Sequence, residues 1–152
     1  QRVLGEIHGG ERVLDMFAGV GPFAITLAAR AKTVVACDLN PAAVTLLIGN
    51  LRLNRCRNVL PLLCDAARLP SFLYPGFDRV VMNLPLSPAS FLDQAFSLVR
   101  PGGSIHLYAL QSRDGEMLAL LDGRGAAEIR EHVVHTYSPS QWLAVYDIRV
   151  AE

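Results

Sequence analysis

The sequence predicts an α/β fold, a mostly parallel sheet of seven strands with helices on both faces and a C-terminal antiparallel hairpin. Three observations carry that expectation. Apolar runs of strand length alternate with helix-periodic stretches along nearly the whole chain, the pattern of a parallel sheet covered by helices. A glycine loop separates the first such run from the first helical stretch. Near the end, two β-type runs are separated only by Tyr137-Ser138-Pro139-Ser140-Gln141, too short for a helical crossover, so they pair antiparallel. The 152 residues suit one domain, expected to span 1–152, without repeats, low-complexity tracts or linkers.

Taken in order, Arg12 to Phe17 follows the turn His8-Gly9-Gly10 and is the first strand, with a helix from about Pro22 to Arg30 after the loop. Thr33 to Asp38 is the second strand. Asn40-Pro41 then supplies a capping residue and a proline at the first helical position, and Val44, Leu47, Ile48 and Leu51 fall on one helical face that ends near Asn54. Asn58 to Cys64 and Asp78 to Asn83 are the third and fourth strands, each a short apolar run with a polar residue at its end. Ser87-Pro88 starts a helix burying Leu92, Ala95, Phe96 and Val99, and the turn Pro101-Gly102-Gly103 leads into a fifth strand, Ser104 to Leu110. A helix from Arg113 to Leu121 precedes the hairpin strands Glu128 to Thr136 and Trp142 to Val150.

Composition narrows the class. A chain that is 51% hydrophobic, with mean hydropathy +0.30, is globular rather than disordered. Polar residues interrupt its apolar runs before the roughly 18 residues of a membrane span, and no signal pattern opens the chain, so a soluble, cytoplasmic protein with no membrane partner is expected. Fourteen cations balance fourteen carboxylates, so the basic excess of a domain that grips nucleic acid through phosphates alone is missing. Cys37, Cys56 and Cys64 lack disulfide or metal spacing and are expected as reduced, partly buried residues. No metal is expected, since His8, His132 and His135 have no ligand spacing. His106, in mid-strand, is expected to be a hydrogen-bonded core histidine. Arg52, Arg55 and Arg57 form a small basic cluster that could touch phosphate, although a solvated helix end is the plainer reading.

Open α/β sheets bind ligands beyond the carboxyl ends of their strands, and here those ends carry Asp15, Asp38, Asp65 and Asn83. The loop after Asp15 contains Gly19-Val20-Gly21-Pro22-Phe23-Ala24, a Gly-x-Gly-x-x-Ala pattern that by itself also fits a dinucleotide fold. Asp38, 19 positions beyond Gly19, is placed to accept from both ribose hydroxyls. Asp15 separates the cofactors: a carboxylate beside the loop repels a diphosphate but attracts the ammonium and sulfonium of S-adenosylmethionine, directly or through water. Asp65 can accept from the adenine amino group. Phe17 and Phe23 are near enough to the loop to line the pocket, and Phe91 is expected to pack. Asn83-Leu84-Pro85 offers an amide and stiff backbone to a planar base. Turn and capping roles for these aspartates, and a strand-ending turn at Asn83, are the alternative.

Asp15-Met16-Phe17-Ala18-Gly19-Val20-Gly21-Pro22-Phe23, Asp38-Leu39-Asn40-Pro41, and Met82-Asn83-Leu84-Pro85 with Phe91-Leu92 downstream resemble the archaeal and eukaryotic tRNA (guanine-37-N1)-methyltransferases. Ile105-His106-x-Tyr108 and Tyr137-Ser138-Pro139 are similar to later landmarks of that family; Pro88 stands where its pattern has Ala. The resemblance covers nearly the whole chain. It implies a Rossmann-like class I methyltransferase domain that moves a methyl group from S-adenosylmethionine to N1 of guanosine 37 in tRNA, leaving S-adenosylhomocysteine. It also implies cofactor contacts from Asp15, Phe17, Ala18, Gly19, Gly21, Pro22, Phe23, Asp38, Leu39, Asp65, Ala66, Asn83 and Pro85, with Asn83 as the catalytic residue that positions the base. The family's glutamate base, its arginine and its tRNA-binding region are expected upstream of Gln1, and neither role is assigned to Glu6 or Glu11. Alternatives are the aminocarboxypropyl transferase of wybutosine synthesis, a non-catalytic cofactor-binding module, and a nicotinamide-dependent oxidoreductase.

Overall fold

The structure, a computed structural model, describes Gly5 and residues 7–152. Its elements run β1 (Arg12–Asp15), α1 (Pro22–Ala28), β2 (Thr33–Asp38), α2 (Pro41–Leu53), β3 (Val59–Leu63), β4 (Phe77–Asn83), α3 (Leu92–Leu98), β5 (Val99–Gln111), α4 (Glu116–Leu121), β6 (Ala126–Ser138) and β7 (Gln141–Val150). The seven strands form one sheet in the order β3-β2-β1-β4-β5-β7-β6. β1 to β5 are parallel, and β7 inserts antiparallel between β5 and β6. The chain winds outward from β1 in one direction and resumes at β4 on its other side. That reversal opens a crevice between the carboxyl ends of β1 and β4, where Asp15 and Asn83 stand.

Alternation along the strands makes the sheet two-sided. Val13, Val34, Ala36 and Val81 face α1 and α2 through Ala24, Leu27, Leu47 and Leu51. On the other side Leu14, Val80, Met82, Ile105, Leu107 and Tyr146 face α3 and α4 through Leu92, Ala95, Leu98, Met117 and Leu121. Helices therefore cover both faces, as the apolar spacing requires. Asn40 Oδ1 accepts from Ala42 N at 2.9 Å and caps α2, the role its position before Pro41 predicts.

Several boundaries depart from the sequence reading. β1 stops at Asp15: Met16 N closes the ladder on Val81 O, and Ala18 N then bonds Cys37 O as the loop begins. α1 ends at Ala28, and Ile48 of α2 is only half-buried. α3 ends at Leu98, so Val99 opens β5 rather than closing a helix, although it is buried as expected and Leu98 joins it in the core. The expected turn at Pro101-Gly102-Gly103 is an excursion inside β5, with register shifting between the pairs Phe77↔Val99 and Arg79↔Ser104. A Cβ at Gly103 would lie 2.9 Å from Arg100 O and 3.0 Å from Asp78 O, a backbone approach only glycine permits. Ser87 makes no side-chain cap, and a short 3₁₀ helix, Pro88–Phe91, precedes α3. A second 3₁₀ helix, Ala66–Ser71, follows β3 without having been signalled by helical spacing. Among the described residues no helix is long and apolar enough to cross a membrane.

Candidate active site at the carboxyl edge of the sheet

The loop between β1 and α1 holds its shape through glycines and a neighbouring carboxylate. Gly19 and Gly21 have φ of 55° and 97°, the left-handed region where L side chains are strained. At Gly21 a Cβ would also lie 2.4 Å from Leu47 Cδ1. Asp38, half-buried at the end of β2, binds two backbone donors: Gly19 N reaches its Oδ2 at 2.8 Å and Asn40 N its Oδ1 at 2.9 Å. It thus fastens the glycine loop to the start of α2. Each oxygen retains a second lone pair for a ligand hydroxyl, while the Gly19 N–H is already engaged and not free for a phosphate.

Asp15 lies beneath this loop and is fully buried. Its Oδ1 accepts from Phe17 N at a long 3.4 Å, and among the described residues its buried Oδ2 has no hydrogen-bond partner. Desolvation pushes the carboxyl up to about 7, with the nearby Asp38 charge acting in the same direction and the Phe17 N–H opposing. An orphaned buried carboxylate of this kind favours positive charge nearby.

A cavity of about 350 Å³ opens at this edge, lined by Met16, Phe17, Asp38, Leu39, Cys64, Asp65, Ala66, Asn83, Leu84 and Phe91. Two carboxylates and no Lys or Arg line it. Phe17 and Phe91 meet edge to face with centroids 5.0 Å apart, and the Asn83 amide has no hydrogen bond within the described residues, leaving it open to a ligand. Asp65 Oδ1 accepts from Ala67 N at 2.9 Å and caps the 3₁₀ helix, with its other oxygen uncommitted. Burial pushes the Cys37 thiol up to about 12, so it is an inert packing group.

Phe17, Asp38, Leu39, Asp65, Ala66 and Asn83, all expected at the site, come together around this cavity. Asp15, Ala18, Gly19, Gly21, Pro22 and Phe23 do not line it; they build its floor and the adjoining loop. Phe23 packs instead on Tyr108, centroids 5.4 Å apart, and Pro85 lines an adjacent apolar cavity of about 270 Å³ with Leu86, Leu110, Tyr137, Gln141 and Leu143. Met16, Cys64, Leu84 and Phe91 line the main cavity without having been expected there. Met16, Cys64 and Leu84 adjoin expected residues, which was a usable signal; Phe91 was expected only to pack.

A larger cavity of about 480 Å³ lies at the opposite edge, among Arg79, Ser104, His106, Asp147 and Arg149. Its charged groups largely serve each other. Glu11 pairs with Arg79 at 2.6 Å, Arg79 Nη1 meets His106 Nε2 at 3.0 Å, and His106 Nδ1 lies 2.8 Å from Asp147 Oδ1. Because Arg79 only donates, Nε2 must accept; Nδ1 then carries the proton and donates to Asp147. His106 is the hydrogen-bonded core histidine its mid-strand position predicts, and Glu11 is remote from the candidate site. Glu6 lies outside the described residues. Among those described, no three His, Cys, Asp or Glu side chains are grouped to hold a metal.

Residues 1–119 match the model of the TRM5/TYW2 methyltransferase domain. The chain is 36% identical over 159 residues to tRNA (guanine(37)-N(1))-methyltransferase Trm5b of Pyrococcus abyssi, covering 99% of this chain and 47% of that protein. It superposes on Methanocaldococcus jannaschii Trm5 in complex with adenosine with a TM-score of 0.90 at 32% identity, covering 99% of this chain and 47% of that one. The corresponding values for M. jannaschii TYW2 in complex with AdoMet are 0.88, 30%, 99% and 73%. The chain therefore spans about half the length of the Trm5 relatives it matches.

Proposed function

Since the chain belongs to the TRM5/TYW2 methyltransferase family, we propose that it is the S-adenosylmethionine-binding core of an enzyme that methylates N1 of guanosine 37 in tRNA. The observation that carries the cofactor is the cavity lining: two carboxylates, no cation, and a third carboxylate buried beneath the glycine loop. A cationic nucleoside fits that charge pattern, and a nicotinamide dinucleotide with its diphosphate does not. The tRNA acceptor is carried by the Trm5 relatives, whose names specify guanosine 37. A cytoplasmic place of action belongs to the same proposal, supported by three free thiols.

S-adenosylmethionine, when bound, supplies an electrophilic methyl on a cationic sulfur. Asp38 receives the ribose hydroxyls on its remaining lone pairs, and Asp65 with the adjacent Ala66 receives the adenine edge. Phe17, Leu39 and Phe91 exclude water from the adenine faces. Asp15 contributes negative potential from below without touching the pocket. Asn83, at the crevice between β1 and β4, uses its free amide to hold the acceptor base in line with the methyl, and the adjoining Pro85 offers that base a flat apolar wall. In-line displacement depends on this alignment. Loss of the N1 proton needs a base, and neither Asp38 nor Asp65 is assigned to it, since both hold backbone donors.

The test is calorimetry with S-adenosylmethionine, S-adenosylhomocysteine and NAD, followed by mass spectrometry of tRNA treated with the full chain. Binding of the first two and N1-methylguanosine dependent on guanosine at position 37 are expected. Binding of NAD alone refutes the cofactor. An aminocarboxypropyl adduct assigns the chain to the reaction of its TYW2-like relatives.

A further inference from the structure

Overall neutrality hides an uneven distribution of charge. From Arg30 to Arg68 the chain carries six cations and only two carboxylates, Asp38 and Asp65, both at the candidate site; from residue 69 onward nine carboxylates outnumber six cations. The topology gathers the positive part at one flank, because β3 is the outer strand there. Lys32 immediately precedes β2 and Arg57 lies just before β3, so both sit at the amino edge of the sheet, to which α2 also returns Arg52. Asn58 secures this corner: its amide nitrogen donates to Ala28 O and Ala31 O, each at 2.9 Å. Arg55 turns outward with φ of 56°.

Lys32, Arg52, Arg55 and Arg57 are exposed, and among the described residues none forms an ion pair, in contrast to Arg79, Arg100, Arg124 and Arg130. At the carboxyl end of the same flank Arg68 is also exposed and, among the described residues, unpaired by any carboxylate. Its guanidinium lies 5.2 Å from the ring centroid of Phe72, which is 58% exposed, and Tyr74 further along is 88% exposed. Cations with interspersed exposed aromatic rings suit a strand of phosphates and unstacked bases. Exposed groups with no internal partner keep their full charge for such a ligand.

We propose that this flank, from Arg68 and Phe72 beyond the carboxyl end of β3 to Arg57, Arg55, Arg52 and Lys32 at the far edge, is a docking track for RNA backbone. The proposal rests on the tRNA reading above and adds where on this domain the RNA lies. A six-residue strand spans about 20 Å, so one RNA segment can present a base at the carboxyl edge and phosphates at the other. The occupant is RNA rather than an acidic protein because the exposed Phe72 and Tyr74 rings beside the cations offer stacking faces to unstacked bases, which an acidic polypeptide would not use.

The test uses the full chain carrying Lys32→Gln, Arg52→Gln, Arg55→Asn and Arg57→Gln together, Asn being tolerant of the left-handed backbone at position 55. Binding of a tRNA transcript is measured across a salt series. The slope of log affinity against log salt is expected to become shallower by about 0.7–0.9 for each phosphate that is no longer neutralised. KM for tRNA rises, kcat at saturating tRNA holds, and S-adenosylmethionine affinity is unchanged, which separates loss of docking from misfolding. A variant with Lys at positions 52, 55 and 57 keeps the wild-type slope. An unchanged slope in the neutralised variant overturns the track while leaving the methyltransferase reading intact, whereas a wild-type chain that does not bind tRNA overturns both. Neutralisation that abolishes binding to phosphatidylserine vesicles with no effect on tRNA overturns the track in favour of a membrane surface.

Discussion

Replacing Asp15 by Asn separates two effects that the buried carboxylate combines. In the folded chain its carboxyl is pushed from the usual 3.8 up to about 7. Between those values the native state holds a proton the unfolded chain has released, so stability falls by about 1.4 kcal/mol per pH unit as pH rises through the window. The full loss, reached above pH 7, is about 4 kcal/mol. Asn removes the charge but places an amide where Oδ2 now has no partner, at a cost of about 1–3 kcal/mol. D15N is therefore expected to be more stable than wild type by about 1–3 kcal/mol at pH 8, and within about 1 kcal/mol of it at pH 5. Urea unfolding of both proteins at each pH measures the difference, which isolates Asp15 from other titrating groups. Binding moves the opposite way: S-adenosylmethionine affinity should rise with pH through about 7 in wild type and lose that dependence, with roughly tenfold weaker binding, in D15N. A D15N protein less stable than wild type at pH 8 refutes the burial argument, and one with undiminished donor affinity refutes the electrostatic role.

Four further substitutions probe separate parts of the structure. Gly21→Ala meets Leu47 Cδ1 at 2.4 Å and a left-handed backbone, so a loss of about 1–3 kcal/mol is expected in urea unfolding. Asp38→Asn turns one oxygen that accepts a backbone N–H into a donor; about 1–3 kcal/mol of stability and at least tenfold in cofactor affinity should be lost, by unfolding and calorimetry. Asn83→Ala removes an amide with no internal partner, so stability should change by less than about 0.5 kcal/mol while kcat falls about 100-fold with cofactor affinity unchanged. His106→Leu removes the imidazole that links Arg79 to Asp147 at the opposite edge, costing about 1–3 kcal/mol in unfolding without altering cofactor affinity.

What the sequence disclosed about the site was the part governed by strand ends. Asp15, Asp38 and Asn83 were legible because a parallel strand delivers its last residue to one edge of the sheet, and Asn40-Pro41 because capping chemistry is local. The side of the chain on which each group finishes was less legible. Asp15 reads as a pocket residue, yet the structure buries it completely and leaves it out of the cavity lining. Phe91 has the apolar character of a core residue, and only its edge-to-face contact with Phe17 brings it to the cavity wall. The turn at Pro101-Gly102-Gly103 was legible, but the pairing of Val99 with Phe77 ahead of it was not, since tertiary pairing rather than periodicity fixes it.

Asp38 also bears on how such a domain can change its ligand. Both carboxylate oxygens anchor backbone amides that shape the loop, so the residue is part of the scaffold as well as of the lining. Exchanging it for a neutral or basic residue to welcome a 2′-phosphorylated ribose would slacken the glycine turn in the same step. Evolutionary drift toward such ligands is therefore blocked unless another acceptor takes over the two amides beforehand.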